Sequence, residues 1–487
     1  MRKKSFCLSI LFGAVLTGNI FIPLLAIAEE GDLEYEQLNY KIAEDGHAII
    51  TNCYQSEKEC IIPEEIDDAP VTEIADDAFS ECYFLESLTV PDSVRIIGRQ
   101  AFSACSALKS IELPNEIDEM GAGAFDGCAA LESVTLPKGI KTLPEATFYE
   151  CTSLKSVILP DGLEEIGSES FFKCSSVADV DLPSSIITIS DYAFQGCQAL
   201  KSIDFPENVK NIGRYIFQEC KSLTDIIVSD ENAMFADKDG VLFTKDGNTL
   251  IRYPEAKAGS EYTVPKDCTQ IANGSFVDAV SLKNIDLNNA TVYGMDAFFR
   301  CTGLESIKIP DGTKDISSSM FAYCSSLKEV SLPDSLRTIG DYAFYTCAAL
   351  KEINVPGGTE EIGAYSFFNC IELRDVHLPD SITKIGDGAI GYYAESEDTE
   401  PEKLEGVTVH YNHNDVIYKF VEQYDLIGTG KGSSKLWIWI VSIAGAMVLI
   451  GAIVLIVILR KKAAIPKPVP GGRTGSELKR SKQEKKG

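Results

Sequence analysis

Short alternating pieces closed by proline recur along most of the chain: LTVP, IELP, VTLP, VILP, VDLP and IDFP. In IELP, Ile111 and Leu113 fall on one side and Glu112 on the other, which is the period of a short strand. Proline ends each piece because it has no N–H to give to a ladder. Upstream of each strand lies A-F-x-x-C or a close variant, read as a brief helical or 3₁₀ turn that drops back into a core. An Ile-Gly-like pair follows the strand, Ile-Gly itself at Ile97-Gly98, Ile166-Gly167, Ile212-Gly213, Ile339-Gly340 and Ile362-Gly363.

The pattern has a fixed period. Cys82, Cys105, Cys128, Cys151, Cys174, Cys197 and Cys220 are each 23 residues apart, and so are Cys301, Cys324, Cys347 and Cys370. Three residues before them stand Phe79, Phe102, Phe125, Phe148, Phe171, Phe194 and Phe217, then Phe298, Phe321, Phe344 and Phe367. A degenerate copy has Phe276 with Ala279 in the cysteine slot. One such unit cannot bury its apolar side alone. Stacking sets each Phe, Cys and Leu on its equivalent and makes a continuous core under one parallel sheet.

This frame, L-x-x-[IV]-x-[LVI]-P…[IL]-G-x-x-A-F-x-x-C, resembles the BspA-like leucine-rich-repeat family over roughly residues 35–427. The resemblance implies an α/β-type repeat solenoid with short parallel strands. It also implies an N-terminal cap over 29–73, repeat blocks over 74–228 and 266–394, a hairpin-bearing irregular repeat over 229–265 and a C-terminal cap over 395–428. The hairpin, Val241–Tyr253, is expected to project from the array. An extracellular bacterial protein used in adhesion is the role the family implies.

The ends place this body. Residues 1–28 carry Arg2-Lys3-Lys4, an apolar run and Ala26-Ile27-Ala28, the pattern of a cleaved signal peptide. Residues 436–459 hold no charge over 24 positions, enough for one transmembrane helix. A linker, 429–435, precedes that span. The basic segment 460–487 follows it, which puts the tail in the cytoplasm and the solenoid outside. The net charge is −29, and with the +8 of the tail and the +3 of the leader set aside the body carries about −40. So acidic a surface repels nucleic acid.

A column of eleven thiols admits three readings: a metal ladder, a disulfide ladder or plain core. Zinc sites want C-x₂₋₄-C pairs with closing ligands, which a spacing of 23 with only four histidines does not supply. Equivalent stacked side chains point the same way rather than at one another. Buried free cysteine behaves as a small hydrophobe, and Ala279 in the same slot favours that reading. Cys53 and Cys60 lie outside the column, and a disulfide between them across an N-terminal hairpin is expected as an even alternative to free thiols.

Chemistry is otherwise sparse. No nucleophile elbow, zinc-helix or phosphate-loop motif occurs. The HYNHND stretch from His410 reads as a helix start capped by Asn414 or Asp415 in preference to a metal site. The acids of Asp237–Gly240 read as a turn in preference to calcium ligands. The expectation is therefore no enzyme and no cofactor or metal. Function should lie on the outward side of the strands, taken to be the concave face. One file there reads Thr89, Glu112, Thr135, Ile158, Asp181, Asp204, Ile227, Asp286, Lys308, Ser331, Asn354 and His377. The expected partner is an extracellular protein or glycan. The alternative is a structural or sensory surface protein that acts through its short tail.

Overall fold

The computed structural model describes residues 32–394 and 399–430. The leader, the transmembrane segment and the basic tail expected from the sequence lie outside them. Among the described residues no helix is long and apolar enough to cross a membrane.

Each repeat is a three-sided coil that bonds to the next coil on every side. The first side is the expected strand, as in Ser87–Thr89, Ser110–Glu112, Ser133–Thr135 and Ser156–Ile158. These strands pair in parallel at equal register, Ser87 to Ser110 and Ser110 to Ser133. Each shows the same alternation: the central Leu, Ile or Val is buried and its two neighbours face solvent.

The second side is a parallel ladder that the sequence had not announced. The isoleucines of the Ile-Gly pairs lie in two-residue strands such as Ile96–Ile97, Glu165–Ile166 and Asn211–Ile212, each paired in parallel with the equivalent strand of a neighbouring coil. Close approach explains the glycine. A Cβ on Gly98 would lie 2.3 Å from the backbone nitrogen of Asp76, and one on Gly213 would lie 2.2 Å from that of Asp191. No side chain fits there without shifting the neighbouring coil.

The third side carries Ala-Phe-x-x-Cys. It is a succession of tight turns and not the helical piece expected. The amide of Cys82 reaches back to the carbonyl of Phe79 at 3.2 Å, but the residue before each cysteine has a left-handed backbone: Glu81 (φ 62°), Ala104 (59°), Gly127 (73°), Glu150 (56°). A left-handed residue stops helix growth. The amides turn instead to the next coil, Phe79 to Ala101 at 2.7 Å and Phe102 to Ala124 at 2.8 Å. The repeats are therefore all β and turn, and the α/β-type expectation is corrected to a parallel-strand solenoid. Among the described residues the sole α-helix is Asp415–Gln423 near the C-terminal end.

Both predicted core columns are buried along the whole array, each phenylalanine and each column cysteine being at most 1 % exposed. Successive rings stack, Phe171 and Phe194 at 5.2 Å and 5°. The core divides into two clusters that meet where Leu242 closes one and Val241 and Phe243 open the other.

Two further expectations fail. The first sheet is not continuous. No strand forms at Asp179–Asp181, between Ser156–Ile158 and Ser202–Phe205. Asp179 and Asp181, with Asp204 on the next coil, set like charges side by side, which works against the ladder there. The hairpin does not project either. Phe235–Lys238, Val241–Thr244 and Thr249–Arg252 form a three-stranded antiparallel meander. Its last strand pairs in parallel with Gln270–Ile271, and Val241, Leu242 and Phe243 are fully buried. The turn at Asp239-Gly240 has two positive φ angles, 54° and 71°, as a tight two-residue hairpin requires. The segment replaces a repeat.

Candidate functional site

The outer face of the first sheet recurs from Glu59–Ile61 to Thr408–His410, in several separate ladders. All twelve residues of the predicted file, from Thr89 to His377, are exposed on it. The isoleucines are among the most exposed apolar side chains, Ile158 at 62 % and Ile227 at 47 %. The structure extends the file at three places. Ile61 pairs with Thr89, Thr263 with Asp286, and His410 with His377. These were missed because the strands Glu59–Ile61, Glu261–Thr263 and Thr408–His410 lie in segments without the Phe/Cys frame.

Charges on this face are mostly spent on one another. Glu86 takes Lys58 at 2.9 Å and Lys109 at 3.3 Å, Glu132 takes Lys155 at 2.8 Å, and Glu305 takes Lys283 at 3.4 Å and Lys328 at 3.0 Å. Hydrogen bonds from these lysines hold Glu86, Glu132 and Glu305 below the usual carboxylate range. Such exposed pairs contribute little stability, but they remove charge from the surface. At the C-terminal end His377 and His410 stack at 4.3 Å, and His410 Nε2 lies 2.9 Å from Asp375 Oδ1.

Beyond the meander the face opens into a hollow of about 860 Å³. Asn284–Asp286 and Ser306–Lys308 form its strands, and the loops Leu287–Thr291 and Pro310–Asp311 its wall. The hollow coincides with a shorter loop. Five residues (287–291) join Asn284–Asp286 to the second sheet, where the next two repeats use six (309–314 and 332–337).

The seam beside the meander buries polar groups. Arg252, 6 % exposed, donates to the carbonyls of Gly274 and Phe217, both at 2.9 Å. Arg300 pairs with buried Asp278 at 2.5 Å. Glu255 is 8 % exposed, and burial pushes its carboxyl up to about 7.

The sequence motifs weighed for metal serve the backbone. Asp237 accepts the amide of Val228 at 3.0 Å, and Asp246 accepts that of Asn248 at 3.0 Å. Asn414 caps the helix through Val416 and Ile417 at 2.8 and 3.0 Å. Among the described residues no group of three His, Cys, Asp or Glu is placed to hold a metal. Cys53 and Cys60 are buried free thiols in contact, with Cys82 beside them.

The family model for the BspA type leucine rich repeat region matches residues 72–181, 164–238 and 269–397. The chain belongs to the BspA-type leucine-rich-repeat family. Solved structures agree. A leucine rich cell surface protein from Faecalibacterium prausnitzii is 28 % identical with a TM-score of 0.63, over 72 % of this chain and 95 % of that one. A leucine-rich repeat protein from Bacteroides ovatus is 25 % identical with a TM-score of 0.51, over 83 % of this chain and all of that one. The pneumococcal vaccine antigen PcpA shares the fold at 23 % identity and a TM-score of 0.52, over 82 % of this chain and 98 % of that one. No curated protein matches the chain. The BspA-type family is one of bacterial surface proteins, and its repeat is the unit that builds the outer face described above.

Proposed function

We propose that the chain is a cell-surface protein anchored by the apolar segment 436–459, and that it binds an extracellular protein or glycan partner through the outer face of the first sheet without catalysing a reaction. One observation carries the reading. Twelve side chains drawn from twelve repeats stand exposed in one file, at a spacing of roughly 4.8 Å between paired strands. Solenoids use such extended faces for binding. The acidic residues of the file, Asp181, Asp204 and Asp286, favour neutral or cationic partners.

Cells carrying the full chain, compared with cells lacking it, test this against immobilised matrix proteins, mucins and glycans at physiological salt. Retention that disappears when Asp181, Asp204 and Asp286 are changed together to Lys supports the reading. Retention that survives the triple change would place binding elsewhere.

A further inference from the structure

The inference rests on the reading of the outer face as a binding surface and names the partner class for one part of it. We propose that the hollow beside Asp286 and Lys308 binds a neutral, polyhydroxylated glycan segment.

Three observations carry it. The hollow, about 860 Å³, falls within the ~300–1,000 Å³ of small-ligand sites, whereas protein partners meet flatter surfaces. It lies at a repeat whose loop is one residue shorter than those of the next two repeats. Several of its polar groups are also uncommitted, although one oxygen of Asp286 accepts the amide of Asn288 at 3.0 Å and the amide nitrogen of Asn289 donates to the carbonyl of Lys266 at 2.9 Å. The ammonium of Lys308 makes no hydrogen bond or ion pair among the described residues, although the lysines of the neighbouring file at 283 and 328 are both held by Glu305. The carboxylate of Asp311 and the amide nitrogen of Asn284 have no partner either, Asn284 using only its oxygen, toward Ser306 at 3.2 Å. Asn288 is fixed by its amide nitrogen to the carbonyl of Val264 at 2.7 Å, which leaves its oxygen free.

The hollow therefore offers ammonium and carboxamide donors interleaved with carboxylate and carboxamide acceptors. A sugar hydroxyl is both donor and acceptor and meets both kinds. The floor, Ile285 at 6 % and Leu287 at 1 % exposed, is closed and offers no competing apolar slot. Two carboxylates, Asp286 and Asp311, outweigh the single ammonium, so a sialylated or uronic-acid glycan is disfavoured. No aromatic ring lines the hollow, so holding rests on hydrogen bonds, and affinity for one site is weak and raised by multivalent display.

The test is retention of the purified full-length chain, in detergent micelles, on an array carrying neutral, amino and acidic oligosaccharides at high density. Neutral glycans should be retained. Lys308→Ala and Asp286→Ala should each lower retention by about tenfold or more, the loss expected for one charge-assisted hydrogen bond. Lys210→Ala, exposed and outside the outward file, should leave it unchanged, and all three variants should keep the wild-type circular dichroism. Retention of no glycan, of acidic glycans alone, or retention indifferent to Lys308 would overturn the assignment. A protein partner lost with Asp181→Lys and no glycan retained would overturn the hollow while leaving the outer face as the binding surface.

Discussion

The thiol of Cys151 lies 3.1 Å from the carbonyl oxygen of Phe125 on the preceding coil. The same bond joins Cys105 to Phe79, Cys128 to Phe102, Cys174 to Phe148 and Cys301 to Phe276, all between 3.0 and 3.1 Å. Each phenylalanine carbonyl already accepts the amide of the cysteine three residues on in its own coil, as Phe125 does from Cys128 at 3.1 Å, and the thiol of the next coil supplies a second donor to its other lone pair. At the seam, where no cysteine follows Phe217, the guanidinium of Arg252 takes that carbonyl instead. The column is thus core and hydrogen bond at once.

This makes serine and alanine diagnostic at Cys151. As a small hydrophobe alone, the thiol should be replaced better by alanine. As a donor to Phe125, it should be replaced better by serine, since alanine removes one of the two hydrogen bonds to that buried carbonyl, at about 0.5–1.5 kcal/mol. The expected order of urea midpoints at equal m is wild type, then Cys151→Ser, then Cys151→Ala. The reverse order of the two variants would reduce the bond to a geometric coincidence.

The column thiols should be chemically silent. Burial pushes Cys128, Cys174, Cys197, Cys301 and Cys347 well above the ordinary thiol range, so the reactive thiolate is scarce. Iodoacetamide at pH 8 should leave them unmodified in the native protein and label them all in guanidinium, read by peptide mass. Aeration should join Cys53 to Cys60, which already touch, and no column pair. A bridge between adjacent column cysteines would contradict the reading.

Much of this architecture was legible in the sequence because a repeat amplifies its own signal. Phe102 or Cys105 alone means little, but eleven frames of the pair at one spacing identify a core. The outward file from Thr89 to His377 followed by simple alternation. What stayed hidden depended on contacts between coils. Gly98 is required by the backbone of Asp76, 22 positions away in the chain numbering, and nothing local marks it. The second ladder hid in two-residue strands too short to show a period. Asn284 to Thr291 read as an ordinary repeat until the missing loop residue took on a spatial meaning.

Asn232 and Asn414 are the same device at two irregular places. Asn232, 1 % exposed, donates to the carbonyls of Pro206 and Val209 and accepts the amides of Met234 and Phe235. Asn414 donates to Asp380 and Ile382 and accepts Val416 and Ile417. Each ties the end of a repeat run to the element that follows. Asn232→Ala should cost about 2–4 kcal/mol, since it strands buried carbonyls and amides together. Asn232→Asp keeps the acceptor and loses both donations, so it too should be destabilising. A thermal midpoint unchanged in both would refute the role.

Glu255 should make stability fall as pH rises through neutrality. Burial is the main cause that lifts its carboxyl to about 7; Asp278 adds to the lift, and Arg252 and Arg300 oppose it. In the unfolded chain the group titrates near an ordinary ~4.3. Between those values the native state keeps a proton that the unfolded state has released, so unfolding becomes easier with each step up in pH. The contribution is complete below about pH 4.3 and lost once pH passes about 7, with an upper bound of ~4 kcal/mol. Glu255→Gln keeps the shape and cannot ionise. Its midpoint relative to wild type should therefore rise between pH 5 and pH 8, while the titrations of all other groups cancel in the difference. A variant-minus-wild-type difference that is flat across that range would mean that the carboxyl ionises freely in the fold, and that the seam is open to water.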